Sequence, residues 1–153
     1  MSDFVIDAPR SDDEREAFAR LFMQSLVGNV PSTGEWLDRV RFGVFGQGET
    51  RVVREGDALV GGLVLFEFGQ FWGGRSIPCA GVSAVAIAPE HRGRGAARAL
   101  LERSLREARE QGRFVSALYP ATQALYRNSA TNSRARASCS MRRSKSSRRI
   151  HRG

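Results

Sequence analysis

Short apolar stretches recur along the chain, and five of them predict β-strands. These stretches are Phe4–Ile6, Arg51–Arg54, Leu59–Phe66, Val82–Ala88 and Phe114–Tyr119. The second and third are separated by Glu55-Gly56-Asp57, which is typical of a hairpin turn. The fourth consists of small, mostly apolar residues, as in a strand buried on both faces.

Helical periodicity follows several of the polar segments. Ser11 and Glu14 form a capping box ahead of a first helix, and Ser32 and Glu35 repeat it ahead of a second. A third helix follows the loop that ends at residue 94, and a last one begins at 122–127. The apolar positions of the first and third helices are Phe18, Leu21, Phe22 and Leu26, and Ala97, Leu100, Leu101, Leu105 and Ala108.

The composition suits one globular domain, with 153 residues and a hydrophobic fraction of 41%. No apolar stretch approaches the roughly 18–20 residues that a membrane span needs, and the first residues lack the pattern of a signal peptide. Cys79 and Cys139 form neither a disulfide framework nor a metal-ligand spacing. These features predict a cytoplasmic protein without a metal site.

The net charge of +8 comes entirely from the last 26 residues. Residues 1–127 contain 16 Arg and 16 acidic residues, which cancel, whereas residues 128–153 contain 7 Arg, 1 Lys and no acid. This tail has seven Ser and no aromatic residue, so it buries too little apolar surface to offset its ordering entropy. We therefore predict a folded domain at 1–127 and a disordered basic tail at 128–153.

The segment Val82–Arg98 carries the strongest chemical signal. A buried strand leads into a turn with Gly93 and Gly95 and then into a helix. Backbone amides and the helix dipole make such a turn a site for a phosphate anion. A Rossmann fingerprint fits less well, because Arg98 stands at its third glycine, and a P-loop lacks its Gly-Lys-Ser/Thr end. The alternative interpretation is that the segment has no binding role and is an ordinary buried strand followed by an Arg-rich helix start.

The string Arg92-Gly93-Arg94-Gly95-Ala96-Ala97 resembles the acetyl-CoA motif of the GNAT superfamily of N-acetyltransferases, Arg/Gln-x-x-Gly-x-Gly/Ala. The preceding Val85-Ala86-Ile87 resembles the family strand whose backbone pairs with the pantetheine arm of the cosubstrate, acetyl-CoA. The resemblance implies acetyl-CoA contacts at Val85, Ala86, Ile87, Gly93, Arg94, Gly95, Ala96, Ala97 and Arg98, and at Ala121 and Thr122 beside the thioester.

Residues 4–127 resemble most closely the amino-terminal domain of the enhanced-intracellular-survival (Eis-like) acetyltransferases, notably in Ala84–Arg92 and in Leu125-Tyr126. This implies an α+β (α/β) GNAT fold, with a mixed, mostly antiparallel central sheet flanked by helices. It also implies acetyl transfer to a primary amine on a small molecule, such as a polyamine or an aminoglycoside, or on a lysine side chain. No membrane partner is expected.

Several side chains are candidates for the chemistry. Tyr126 resembles the family tyrosine that protonates the departing thiolate, a role that a phenol with a pKa near 10 can fill; a packed helix tyrosine is the alternative. His91 is expected to be structural or exposed, and Glu67 or Glu90 could relay a proton through water. Cys79 is expected to be a small strand-edge residue. Trp36, Phe68, Phe71 and Trp72 fit either an acceptor pocket or core packing.

The tail is expected to be a frameshifted readout. The codons AAC TTC GGC TAC GAA TTC GCG G encode Asn-Phe-Gly-Tyr-Glu-Phe-Ala, the kind of continuation that the family places after Tyr126. Deleting one T from the first TTC gives AAC TCG GCT ACG AAT TCG CGG, which encodes Asn128–Arg134 as they stand. The carboxy-terminal strands would then be missing.

Two other functions remain possible for the chain. One is a non-catalytic acyl-CoA-binding module, and the other, less favoured, is nucleic-acid binding by the tail.

Overall fold

A computed structural model of the chain describes residues 3–27 and 48–118. The elements of these two ranges are β1 (Phe4–Asp7), α1 (Asp12–Val27), β2 (Glu49–Glu55), β3 (Ala58–Trp72), β4 (Arg75–Ile87), a 3₁₀ turn (Pro89–His91), α2 (Ala96–Glu110) and β5 (Val115–Leu118). The helices predicted near Trp36 and at 122–127, and the tail at 128–153, lie outside the described residues.

The strands form one sheet in the order β1-β2-β3-β4-β5. Neighbouring strands are antiparallel except β4 and β5, which are parallel. Two-residue turns at Gly56-Asp57 and Gly73-Gly74 make β2, β3 and β4 a continuous meander, because a short turn can join only antiparallel neighbours. The prediction of a mixed, mostly antiparallel sheet flanked by helices is confirmed.

The hairpin formed by β3 and β4 is longer than the hydrophobic pattern predicts. The two strands pair from Gly61 opposite Ile87 out to Trp72 opposite Arg75, whereas the predicted strands cover 59–66 and 82–88. The outer part of this hairpin is largely exposed, so it needs no apolar periodicity to form. Phe71 and Trp72 near its tip are 67% and 73% exposed, which makes the core-packing interpretation wrong for both.

The core lies on both faces of the sheet, with one helix covering each. On the α1 face, Phe18, Ala19 and Met23 pack against the sheet residues Val52, Val64, Ala84 and Ala86. On the α2 face, Ala96, Leu100 and Leu101 pack against Val53, Val60, Leu63, Leu65, Val82 and Ile87. The two helices thus fix the middle of the sheet, including the carboxy-terminal half of β4, where the candidate site lies.

The predicted capping box forms at the start of α1, with one difference. The Glu14 amide donates to Ser11 Oγ at 3.3 Å, but the Glu14 carboxylate accepts from the amide of Arg10 rather than that of Ser11. The same carboxylate accepts from Nε and Nη2 of Arg54 at 2.9 and 2.5 Å. The Arg54 side chain is fully buried, so Glu14 balances the charge of a buried cation.

Glu14→Ala is expected to lower the free energy of unfolding by about 2 kcal/mol, because the charge of Arg54 would stay buried without its partner. Arg54→Met should cost much less, since it removes the charge and keeps the volume. The hydrogen bonds from Arg54 hold the pKa of Glu14 below its usual value. The stabilisation is therefore complete above the unfolded-state pKa of about 4.3 and is lost as pH falls through the lower folded-state value.

Urea denaturation of wild type, Glu14→Ala and Arg54→Met at pH 7 and pH 3 measures both effects. The difference between wild type and Glu14→Ala should shrink at the lower pH. Equal stability of wild type and Glu14→Ala at pH 7 would contradict the assignment of Arg54 as a buried, compensated charge.

Candidate functional site

A β-bulge interrupts β4 just before the segment that the sequence singles out. Val64 of β3 pairs with Ser83, but Gly62 pairs with Ala86, so β4 contains one residue more than β3 between these pairs. Ala84 in the bulge has a φ of +54°, a conformation that costs an L-residue roughly 1–2 kcal/mol. The bulge also explains why Val82 contacts the α2 core and Ala84 the α1 core, although they are two residues apart.

Beyond the bulge, one backbone edge of β4 is open within the described part of the chain. Among the described residues, which end at 118 on this side, β5 pairs with β4 from Cys79–Val115 to Val82–Leu118. The Ala88 amide donates to the Val60 carbonyl at 2.8 Å, which places Ala88 in a hydrogen-bonded pair with β3. Since hydrogen-bonded pairs alternate along an antiparallel ladder, the amide and carbonyl of Ile87 point away from β3. This edge can therefore pair with an extended ligand.

After the intervening segment Ala88–Arg92, the chain forms a turn that presents backbone amides. Gly93 and Gly95 have φ values of +74° and +92°, which only glycine adopts at little cost. A Cβ on either would meet no atom of residues 3–27 and 48–118 within 4 Å, so the described part of the chain leaves this side of the turn open. Gly95 is also the N-cap of α2 and supplies no side-chain cap. The first amides of α2 therefore lack the partner that a Ser or Asp cap would provide and can bind an anion.

Arg92 and Arg94 near the turn, and Arg98 in the first turn of α2, each make an intramolecular contact. Arg94 Nη2 donates to Glu55 Oε1 at 2.6 Å, and Arg98 Nε donates to Glu102 Oε1 at 2.7 Å. Arg92 Nε donates to the Ile87 carbonyl at 3.1 Å, on the open side of β4. Arg94 thus ties the turn to β2, and the backbone amides of the turn, together with guanidinium N–H groups of Arg92 and Arg98 not used in these contacts, can receive an anion.

The structure brings most of the predicted cofactor contacts together. Val85, Ala86 and Ile87 lie on the last part of β4, and Gly93–Arg98 form the turn and the first turn of α2. The segment Ala88–Arg92, with its 3₁₀ turn, separates the two groups. Tyr126, Ala121 and Thr122 lie outside the described residues.

Sequence reasoning missed two features of this site. The bulge at Ala84 has no glycine to signal it, and the contact between Glu55 and Arg94 joins residues 39 positions apart. The only sequence signal for Glu55 is its place in the hairpin turn chemistry, which says nothing about a distant partner. Both features depend on the strand register, which the sequence alone does not fix.

The other candidate side chains are placed as follows. His91 is mostly buried and its Nδ1 lies 2.9 Å from Glu55 Oε2, which fits a structural role. Cys79 is completely buried and pairs with Phe68 on one side and Val115 on the other, so the expectation of a strand-edge position is wrong. Glu67 and Glu90 are exposed, and Trp36 lies outside the described residues.

Residues 3–27 and 48–118 carry neither a metal-binding cluster nor a membrane-spanning helix. Their His, Cys, Asp and Glu side chains form no group that could hold a metal ion. Neither of their helices is long and apolar enough to cross a membrane.

Taken together, the site has two parts in series: an open strand edge for amide-like groups and an amide-lined turn for phosphate. An extended ligand with peptide-like bonds at one end and a pyrophosphate at the other matches both parts.

Comparison with known proteins places this geometry in a family. Residues 8–129 match the family described as the acetyltransferase (GNAT) domain. A GCN5-related N-acetyltransferase from Anabaena variabilis is 38% identical with a TM-score of 0.70, over 82% of this chain and 31% of that one. Eis1 from Mycobacterium abscessus is 24% identical with a TM-score of 0.65, and the match covers 82% of this chain and 30% of Eis1. At this identity the similarity shows a shared fold.

A curated relative from Streptomyces avermitilis, described as an uncharacterized N-acetyltransferase, is 37% identical over 75 residues. These residues are 48% of this chain and 18% of the relative. The chain thus spans about a third of the length of the Anabaena protein and less than a fifth of the Streptomyces one.

Proposed function

Because the chain belongs to the GNAT family of acetyltransferase domains, we propose that it transfers an acetyl group from acetyl-CoA to a primary amine. Acetyl transfer in general follows from the family. The observation that supports the cosubstrate is the succession along the chain of the strand edge at Ile87, the glycine turn and the start of α2 without a side-chain cap. The length of pantetheine and its two amides suit the strand edge, and its pyrophosphate suits the turn.

In this proposal the backbone does most of the binding. The amides of Gly93–Arg98 receive the pyrophosphate, and the edge at Val85–Ile87 pairs with the pantetheine arm. Arg92 already donates to the Ile87 carbonyl, so a pantetheine amide that pairs there has to displace or share this contact. Ala121 and Thr122 are proposed to contact the thioester end, a placement that rests on family resemblance.

The chemistry requires a neutral amine, a polarised thioester carbonyl and an acid for the leaving group. The amine nitrogen forms a bond to the carbonyl carbon while the carbon–sulfur bond breaks. The amine loses a proton, and the thiolate gains one. We assign this second proton to the phenol of Tyr126. Among the acceptors, polyamines, aminoglycosides and lysine side chains all present such an amine.

Calorimetric titration with acetyl-CoA tests the proposed cosubstrate, with ATP and NAD as controls. All three ligands carry phosphate anhydrides, but only acetyl-CoA has a pantetheine arm for the strand edge. We expect saturable binding of acetyl-CoA and at least about tenfold weaker binding of the controls. Equal affinity for all three ligands would show that the site recognises phosphate groups only and would contradict the assignment of acetyl-CoA.

A non-catalytic acyl-CoA-binding module is the second candidate. It is supported by the described part of the site, whose strand edge and amide turn suit binding and carry no assigned acid or base. Such a module would bind acetyl-CoA with the same site but release no thiol in the presence of amines. Binding and turnover measured on the same preparation separate the two candidates.

We also propose that residues 128–153 are read from a shifted frame and do not belong to the domain. The tail carries all of the net charge, and the family match ends at residue 129. Resequencing of the gene tests this proposal, and an unshifted frame together with protection of the tail from proteolysis would refute it. Salt-dependent nucleic-acid binding that disappears on removal of 128–153 would instead give the tail a function.

A further inference from the structure

The turn that is proposed to bind phosphate contains two glycines, which have no side chain to pack against the rest of the domain. Gly93 and Gly95 both have positive φ, and within the two described ranges a Cβ on either would touch nothing closer than 4 Å. Glycine also loses more conformational freedom on folding than any other residue. A turn of this kind needs to be held by some other contact, and the side chain between the two glycines is that of Arg94.

Glu55 provides this contact from the neighbouring hairpin. It is the last residue of β2, and its Oε1 accepts from Arg94 Nη2 at 2.6 Å. Its other oxygen, Oε2, lies 2.9 Å from Nδ1 of His91, in the 3₁₀ turn before the glycines. The side chains of Glu55 and His91 are each only 22% exposed, so this charge-assisted contact is partly shielded from water. One carboxylate therefore joins the middle of the turn, at Arg94, and the segment before it, at His91, to the sheet.

The hydrogen atoms in this cluster can be assigned by elimination. Arg94 Nη1 lies 3.2 Å from the same Nδ1 of His91, and a guanidinium can only donate. A single Nδ1 cannot donate to the carboxylate and accept from the guanidinium at once. The contact to Glu55 is the shorter one and a carboxylate can only accept, so the tautomer with hydrogen on Nδ1 satisfies this contact at the expense of the one to Arg94 Nη1. Both His91 and Arg94 then depend on Glu55.

We propose that Glu55 is a positioning residue that fixes the glycine turn through Arg94, an inference that rests on the proposed binding of acetyl-CoA. Removal of Glu55 has two opposing effects. It takes away a negative charge near the phosphate site, which favours the anion, and it loosens the turn, which disfavours it. The loosening dominates, because the backbone amides are the groups that receive the phosphate and their placement requires an ordered turn.

The test is a double-mutant cycle in the full chain, with the dissociation constant of acetyl-CoA as the readout. Glu55→Ala should weaken binding about tenfold, and Glu55→Gln, which keeps an acceptor oxygen, should weaken it less. In an Arg94→Ala background, Glu55→Ala should produce little further loss, because the two residues act as a unit. Glu16→Ala is the matched control, since Glu16 accepts from Arg20 at the same 2.6 Å but lies on α1.

Hydrogen exchange of the amides of 93–98 without ligand provides a readout that is independent of binding. Exchange should be faster in Glu55→Ala than in wild type and unchanged in Glu16→Ala. Unchanged exchange, unchanged or tighter binding by Glu55→Ala, or additive losses in the cycle would each overturn the positioning role. Failure of wild type to bind acetyl-CoA would overturn the proposed function, while the exchange data still decide whether Glu55 orders the turn.

Discussion

Gly95→Asp is expected to weaken acetyl-CoA binding by at least about a hundredfold. The Cβ of residue 95 would point into the open space above the turn, where the pyrophosphate is proposed to lie. The aspartate would place a negative charge beside the phosphates and would compete for the first amides of α2 as an N-cap. Isothermal calorimetry of wild type and variant measures the difference directly.

Gly112→Asp is the matched control for this substitution. Gly112 follows the other end of α2, has a φ of +83°, and likewise has nothing within 4 Å of a Cβ. The conformational cost is therefore similar, but no ligand is proposed there. The control variant should lose stability and keep its affinity for acetyl-CoA. If wild type and Gly95→Asp bound acetyl-CoA equally, the assignment of the turn would be wrong.

Tyr126→Phe is expected to lower kcat by about 10²–10⁴-fold and to leave the affinity for acetyl-CoA unchanged. The substitution removes only the hydroxyl that is proposed to protonate the thiolate, and general acids contribute rate factors of this size. Steady-state thiol release gives kcat, and calorimetry gives the affinity.

The chain offers its other tyrosine as a control for Tyr126. Tyr119→Phe removes an equivalent hydroxyl at a position with no proposed role, and its kcat should stay near that of wild type. Equal turnover of wild type and Tyr126→Phe would remove Tyr126 from the mechanism and leave the leaving-group acid unassigned.

The hydrophobic pattern predicted the buried part of the fold well because burial requires it. The apolar run at Val82–Ala88 covers the inner part of β4, and Leu100 and Leu101 of α2 are buried as their spacing indicates. The same dependence on burial makes the predicted β3–β4 hairpin shorter than the observed one, because the outer part of this hairpin is exposed. Residues such as Gln70 and Arg75 form backbone pairs in exposed strands, and such pairs leave no mark on the apolar periodicity.

The glycine turn of the candidate site was predictable, but the surroundings that support it were not. Positive φ at Gly93 and Gly95 leaves a direct signature in the sequence, since few other residues tolerate it. The bulge at Ala84 and the contact from Glu55 to Arg94 arise from strand register and tertiary placement. These are long-range properties that a linear pattern does not encode.

Amine-dependent release of thiol from acetyl-CoA by the full chain tests the central claim most directly. A panel should include a polyamine, an aminoglycoside and a lysine-containing peptide, with each acetylated product identified by mass. We predict saturable thiol release with at least one primary amine, in stoichiometry with its acetylated product, and loss of that release in Gly95→Asp. Binding of acetyl-CoA without thiol release for any amine would contradict the assignment as an acetyltransferase and favour the non-catalytic binding module.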